Sequence, residues 1–304
     1  MNRRQRGVAI VLAMGVVALA AMAATGMLLA QSTWARHSEL TAEHAQAQGL
    51  VRAGLDWARV VLADDRRRSN VDHLAEPWAL RPAPVPVDNG QIAGYIQDQQ
   101  GAFNVNNLAI DGMINRAELV RFRRLLAILE LPPGLADALA DWIDRDGALQ
   151  SADGAEDAYY LALRPPYLAA NQPLTDVSEL ALVRGFDNAV RMKLKPYITA
   201  LPQTTLVNVN TAPAEVLAAT IDGMTLDAAR ALVKERERAY FNSVADFANR
   251  LQGKYAVPTT GIALASRYFM VTLQAKIGQA QASGVALVVR EAAGWPAIVW
   301  QKTL

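Results

Sequence analysis

An unbroken run of uncharged, mostly apolar positions extends from Gly7 to Ala30, 24 residues in all. As a helix rising about 1.5 Å per residue it is about 36 Å long, enough to cross a bilayer core of about 30 Å. The pattern then changes rather than stops: Leu50, Val51, Leu55, Trp57, Ala58, Val61 and Leu62 recur at helical spacing among polar residues. This predicts one continuous helix, apolar on all sides in its first half and amphipathic in its second, where it packs on a globular body.

Residues 64–90 carry charges, four prolines and the turn pair Asn89 and Gly90, the composition of an exposed connection. A strand is predicted over Gln91 to Gln99, and the C-terminal runs RYFMVTLQAK, ASGVALVVRE and PAIVWQKT read as an antiparallel meander. Between 104 and 261 the apolar residues return to helical spacing in RAELVRFRRLLAILEL, PGLADALADWIDRD and LDAARALVKERERAY. The expected fold is α+β: a long N-terminal helix (8–64) on an antiparallel sheet (65–103 and 262–304), with a large all-α insertion at 104–261. The insertion echoes itself. FNVNNL at 103 returns as VNVNTAPAEVL at 207, PPGLADALADWI as GMTLDAARALVKER, and PLTDVSELALVRGF as FNSVADFANRLQG, which predicts two related helical units, about 104–200 and 201–261.

Composition narrows the chemistry. A net charge of +1 gives no whole-chain electrostatic reason to expect a nucleic-acid partner, and the absence of cysteine excludes disulfides and thiolate metal sites. Three histidines are too few and too scattered for a histidine-metal cluster. No nucleophile elbow, Walker loop, HExxH or dinucleotide fingerprint occurs, so catalysis is not expected.

Arg3, Arg4 and Arg6 precede the apolar run, whereas its far flank mixes Arg36 and His37 with Glu39 and Glu43. The positive-inside rule then keeps the N-terminus in the cytoplasm and the bulk outside. An ordinary secretory signal cut near Ala21, Met22 and Ala23 is one reading, but the run is longer than a signal core and the helix continues beyond it. A basic leader, a glycine and an apolar helix with an amphipathic extension resemble the prepilin class of N-terminus, shared by type IV pilins and type II secretion pseudopilins. That resemblance implies a pilin-like fold, cleavage of leader 1–7 after Gly7 by prepilin peptidase, and methylation of the new amine on Val8. The class usually carries glutamate at the fifth mature position, where this chain has Leu12. In that class the glutamate meets the terminal amine of the subunit above, and an unpaired carboxylate in lipid is costly. Leu12 therefore reads as the mark of a tip subunit, beside the plainer reading of a lipid-facing leucine.

Between Asp137 and Asp157 seven acids (Asp137, Asp141, Asp144, Asp146, Asp153, Glu156 and Asp157) are opposed by Arg145 alone. Crowded carboxylates with Gly147 and Gly154 between them suit Ca²⁺, which takes six to eight oxygen ligands. The spacing is not that of an EF-hand, and a solvated acidic surface is the competing reading. DWIDRD, GAEDAYY, RPPYLAANQPLTDVSELALVRGF and VNVNTAPAEVLAA in combination resemble the protein K family of type II secretion minor pseudopilins, across nearly the whole chain. The resemblance implies Ca²⁺ bound by Asp144, Asp146, Glu156 and Asp157, with Asp141 and Asp153 as further candidates. It also implies assembly with I-type and J-type minor pseudopilins at the pseudopilus tip, and a single-pass inner-membrane protein with a periplasmic C-terminal domain.

The second unit also resembles helix-hairpin-helix DNA-binding modules of competence proteins. From Asn208 to Lys254, however, six basic residues face six acidic ones, and Asp222 sits beside the lone hairpin Gly223. Phosphate contacts supply most of such binding, so an exported DNA-binding protein is the alternative and no nucleic acid is expected. Tyr159, Tyr160 and Tyr167, beside Pro165 and Pro166, are expected to pin a loop onto its own domain, with an aromatic contact surface as the competing reading.

Overall fold

The computed structural model describes residues 3–257, 260–291 and 294–303. Helix α1 (Arg3–Arg68) is a single 66-residue helix, uninterrupted because the segment holds no proline. An 18-residue window of it reaches a mean hydropathy of 2.2 with none of that window buried in the molecule. Gly7 is exposed on this stem; the Val8 side chain lies outside the described residues. Arg66, Arg67 and Arg68 in the last turn favour the negative end of the helix dipole.

Five strands, β1 (Val85–Val87), β2 (Gly90–Asp98), β3 (Tyr268–Ile277), β4 (Ala280–Val289) and β5 (Ala297–Thr303), form one sheet in that spatial order, each antiparallel to its neighbour. β1 is absent from the sequence reading because it is three residues long and contains Pro86, which an edge strand tolerates. Phe269, Val271, Leu273, Ala275 and Ile277 alternate onto one face, where they bury Ala47, Val51, Leu55, Ala58 and Leu62 of α1. The approach is close: a Cβ on Gly54 would stand 2.8 Å from Ile92 Cδ1, and one on Gly284 would stand 2.6 Å from Val51 Cγ1. Trp57 does not join this face. It is 68% exposed, because two residues past Leu55 is roughly 200° around a helix.

The insertion leaves the sheet after β2 and returns before β3. Its helices are α2 (Arg116–Ile128), α3 (Leu135–Ile143), α4 (Asp157–Leu161), α5 (Asn188–Leu194), α6 (Ala214–Thr220), α7 (Leu226–Arg238) and α8 (Val244–Arg250). Phe122, Leu125, Leu126 and Leu139 of the first unit share one core with Val216, Leu217, Ile221 and Phe247 of the second.

The sequence echo has a physical counterpart in the asparagines. Asn104 and Asn208 each accept a hydrogen bond from the backbone N–H two residues on, at 3.2 and 2.9 Å. Asn106 clamps Leu174, donating to its carbonyl (2.8 Å) and accepting from its N–H (2.9 Å). Asn210 clamps Phe241 in the same way, at 2.9 and 2.8 Å. Phe103–Asn104 also pairs in parallel with Ile198–Thr199, as Val207–Asn208 does with Ile262–Ala263. The insertion is therefore not wholly helical, and two-residue bridges leave no periodic signal to read.

Candidate metal centre

Asp137, Asp141 and Asp144 descend one side of α3 to its C-terminal cap, each meeting a different fate. Asp137 pairs with Arg123 of α2 and accepts from Ser151 Oγ at 2.7 Å. Asp141 accepts from the Gln150 N–H at 3.1 Å, and a Cβ on Gly154 would run into its Oδ2, so a larger residue there displaces that carboxylate. These two acids hold the returning loop. Asp144 is 0% exposed, and neither of its carboxylate oxygens has a hydrogen-bond partner among the described residues. The same holds for Glu156 Oε1.

One oxygen each from Asp144, Asp146 and Glu156 lies within 4.8 Å of the others. Calcium–oxygen bonds of about 2.3–2.6 Å span carboxylate oxygens up to about 5 Å apart, so this spacing fits a shared cation. Burial, then the Asp146 and Asp141 charges, pushes the Asp144 carboxyl up to about 7. Burial, then Asp141 and Asp144, pushes Glu156 up to about 7 as well, and burial takes Asp141 to about 6. Asp144 and Glu156 are buried, while Asp146 is exposed and accepts from the Ala148 N–H at 2.8 Å; mutually repelling oxygen donors with no nitrogen or sulfur among them match the preference of a hard cation such as Ca²⁺.

The other sequence candidates stand outside the three-oxygen group. Asp157 Oδ1 accepts from the Ala169 N–H at 2.9 Å, and Asp153 is exposed, its side chain packed over Gly134. Arg184 was not foreseen: it donates to the Gly154 carbonyl at 2.7 Å and lies 4.9 Å over the Tyr159 ring. It sits 30 residues beyond the loop's centre, where spacing carries no hint of the contact. Tyr160 is fully buried against Trp142 and Tyr167, and the Tyr167 hydroxyl donates to the Leu182 carbonyl at 2.8 Å. These two tyrosines pin the loop to its own domain.

A second acidic group, Asp65, Asp72 and Glu76, also brings three oxygens within 4.8 Å, but it is already partnered. Arg290 donates to Asp65 Oδ2 at 2.6 Å and to Asp72, while Glu76 accepts from Trp78 Nε1 at 2.7 Å and from the His73 N–H at 2.9 Å. In the second unit the α6–α7 hairpin turns on Gly223 (φ +70°), and the adjoining Asp222 accepts from Arg124 of α2. A carboxylate stands where a phosphate-binding hairpin offers amides.

A family model described as type II secretion system protein K matches residues 101–203, and a second with the same description matches 207–265. The type II secretion system protein K of Pseudomonas aeruginosa is 36% identical over 292 residues, covering 91% of this chain and 86% of its own. That of Klebsiella pneumoniae is 35% identical over 298 residues, covering 92% and 91%. Among solved structures, a chain in the crystal structure of the GspK-GspI-GspJ complex of the enterotoxigenic Escherichia coli type 2 secretion system superposes with a TM-score of 0.77 at 29% identity, covering 88% of this chain and 99% of that one. None of these supports a DNA-binding protein. With both halves of the insertion matched and identity above a third across nine-tenths of its length, the chain belongs to the type II secretion system protein K family.

Proposed function

We propose that this chain is a minor pseudopilin of the type II secretion system that sits at the tip of the pseudopilus. Its α1 stem is anchored in the inner membrane, with the N-terminus in the cytoplasm and the sheet and insertion in the periplasm. The observation that carries this reading is the 0.77 TM-score likeness to a chain of a GspK-GspI-GspJ complex. It makes I-type and J-type minor pseudopilins the partners. Two features of the chain agree with an end position. The insertion, bounded by β2 and β3, is a bulk hard to stack repeatedly along a narrow fibre, and Leu12 leaves the exposed apolar stem without a carboxylate that needs an amine above it.

The same reading makes Gly7 the last leader residue and Val8 the methylated first residue of the mature chain. It makes Asp144, Asp146 and Glu156 the holders of a Ca²⁺ ion, with Asp137 and Asp141 positioning the loop that carries two of them. When bound, the ion supplies the positive charge these acids lack. Mass analysis of the membrane-extracted protein tests the anchor: loss of residues 1–7 with a methylated Val8 is expected, whereas an intact terminus or a cut near Ala23 overturns it. Co-purification with I-type and J-type subunits tests the assembly.

A further inference from the structure

Counted from their matching asparagine clamps, the two units of the insertion differ most in length at one connection. Between the end of α7 at Arg238 and the clamped Phe241 lie two residues, 239 and 240; between the end of α3 at Ile143 and the clamped Leu174 lie thirty, 144–173. Immediately past the clamp both chains do the same thing. Two residues after it stands a helix cap, Asp176 accepting from the Ser178 N–H in one unit and Ser243 from the Asp246 N–H in the other, and a short helical segment follows. The extra chain thus enters and leaves a frame that its sister closes with a tight turn. All the acids from Asp144 to Asp157 lie on it.

We infer that residues 144–173 form a strap inserted into one copy of a duplicated unit, fastened by a cation at Asp144, Asp146 and Glu156, which opens on cation removal while the two-unit core stays folded. The inference rests on the calcium reading above. Its own support is the independence of the frame. The Asn106 clamp on Leu174 and the Asn104 contacts to Asn107, Gln203 and Thr205 involve no strap residue. The strap adds Ala155, Tyr160 and Ala169 to the buried core, against Trp142 at the end of α3, and packs Leu163, Tyr167 and Ala170 half-buried against it. Its polar ties to the rest are Ser151 to Asp137, Gln150 to Asp141, Arg145 N–H to the Gly112 carbonyl, Asn171 N–H to the Trp142 carbonyl, the Tyr167 hydroxyl to the Leu182 carbonyl, and Arg184, which donates to the Ala152 and Gly154 carbonyls and to the Tyr160 hydroxyl. Segments with few buried apolar contacts open at lower free energy than the core they lie on. Without a cation, Asp144 and Glu156 repel each other at the strap's fastening point.

Hydrogen–deuterium exchange on the full chain in detergent micelles, with calcium or with chelator at constant pH and ionic strength, tests this. Chelation is expected to speed exchange in strap peptides by an order of magnitude or more and to leave α2, α6 and α7 unchanged. Acceleration of all three helices together with the strap overturns the inference while leaving the calcium reading intact. A second chain carries Ala-Tyr, the residues at 239 and 240, in place of 144–173, with Trp142→Gln to spare the indole that the strap covers. Protected α2, α6 and α7 in that chain support the inserted strap, and their loss overturns it even if wild type responds to calcium. A wild type without any calcium response overturns the cation fastening and the calcium reading together.

Discussion

Replacing Asp144 by asparagine separates a cation site from a solvated acidic surface, because the two readings give opposite signs. The substitution keeps the shape of a side chain that is 0% exposed and removes a charge whose oxygens have no partner among the described residues. Leaving one buried charge uncompensated costs about 3–5 kcal/mol, part of which protonation recovers, so removing it should return roughly 1–3 kcal/mol to the closed loop in chelator. If the three acids hold calcium, the wild type should gain about 2.7 kcal/mol from linkage at 100 times the dissociation constant. The variant forfeits most of that gain. Since about 1.4 kcal/mol is tenfold, exchange protection across residues 144–168 is expected to rise severalfold or more in the variant under chelator and to fall by an order of magnitude or more in calcium. Asp153→Asn is the control: that side chain is exposed and outside the three-oxygen group, and both protections should hold. Asp144→Asn lowering protection equally in both conditions would refute the reasoning, as it would then be breaking an ordinary contact.

Two further predictions concern the junction below the insertion. Arg290→Leu strands Asp65 and Asp72, both buried, and should cost about 3–5 kcal/mol at pH 8 in urea denaturation of the detergent-solubilised chain. The loss should shrink at pH 5, because burial and then Glu76 push Asp65 up to about 6; a loss below about 1 kcal/mol at pH 8 would count against a paired cluster. Asp98 is likewise raised by burial to about 6, against bonds from Ser266, Thr211 and Gln100. The unfolded chain sheds this proton near 3.8 and the folded chain keeps it to about 6, so the folded state binds more protons in that window. Its contribution therefore falls as pH rises from 4 to 6, by roughly 3 kcal/mol in all. Asp98→Asn should flatten that part of the stability profile, and an unchanged slope would remove Asp98 as its source.

The elements legible in the sequence are those long enough to show a period. α1, the strands β2 to β5 and the long helices α2 and α7 each repeat their apolar spacing several times, whereas β1 and the two-residue bridges end before any period forms. Trp57 was misplaced for a related reason: a helical stripe is recognised by its sum, and one residue 200° off it barely weakens the pattern, a turn of roughly two residues at about 100° each. At the acidic loop the crowding of carboxylates was legible and their convergence was not. Spacing gives seven carboxylates in a row, but which three converge depends on the path of the loop, and that path is set by Asp137, Asp141 and Arg184 through bonds to Ser151, Gln150 and Gly154. The asparagine repeat was visible as letters only. That Asn106 and Asn210 close on residues 68 and 31 positions away is a tertiary fact that local propensity does not encode.

The same polar residues decide how rigidly the insertion is carried by the stem. Asp65 in the last turns of α1 is held by Arg290 of the residue pair following β4, and that guanidinium also binds Asp72 and the Ser266 carbonyl. Asp72 accepts from the Ser266 N–H at 2.6 Å, and its carbonyl accepts from Asn208, which in turn donates to Asp98 at the end of β2. Stem, sheet and second unit thus meet in one buried network. The first unit adds the Lys302–Asp176 pair at 2.8 Å, and Leu201, where the chain leaves it, is buried against Tyr268 and Leu287 on the sheet face away from α1. Apolar contact alone lets surfaces slide, whereas a buried network whose groups, Arg290 Nε apart, are paired has one geometry and penalises others with unpaired groups. The insertion is therefore fixed in attitude to α1, so that in a subunit whose work is assembly, the packing of neighbouring stems in the membrane sets where the acidic loop and its flanking surfaces stand in the periplasm.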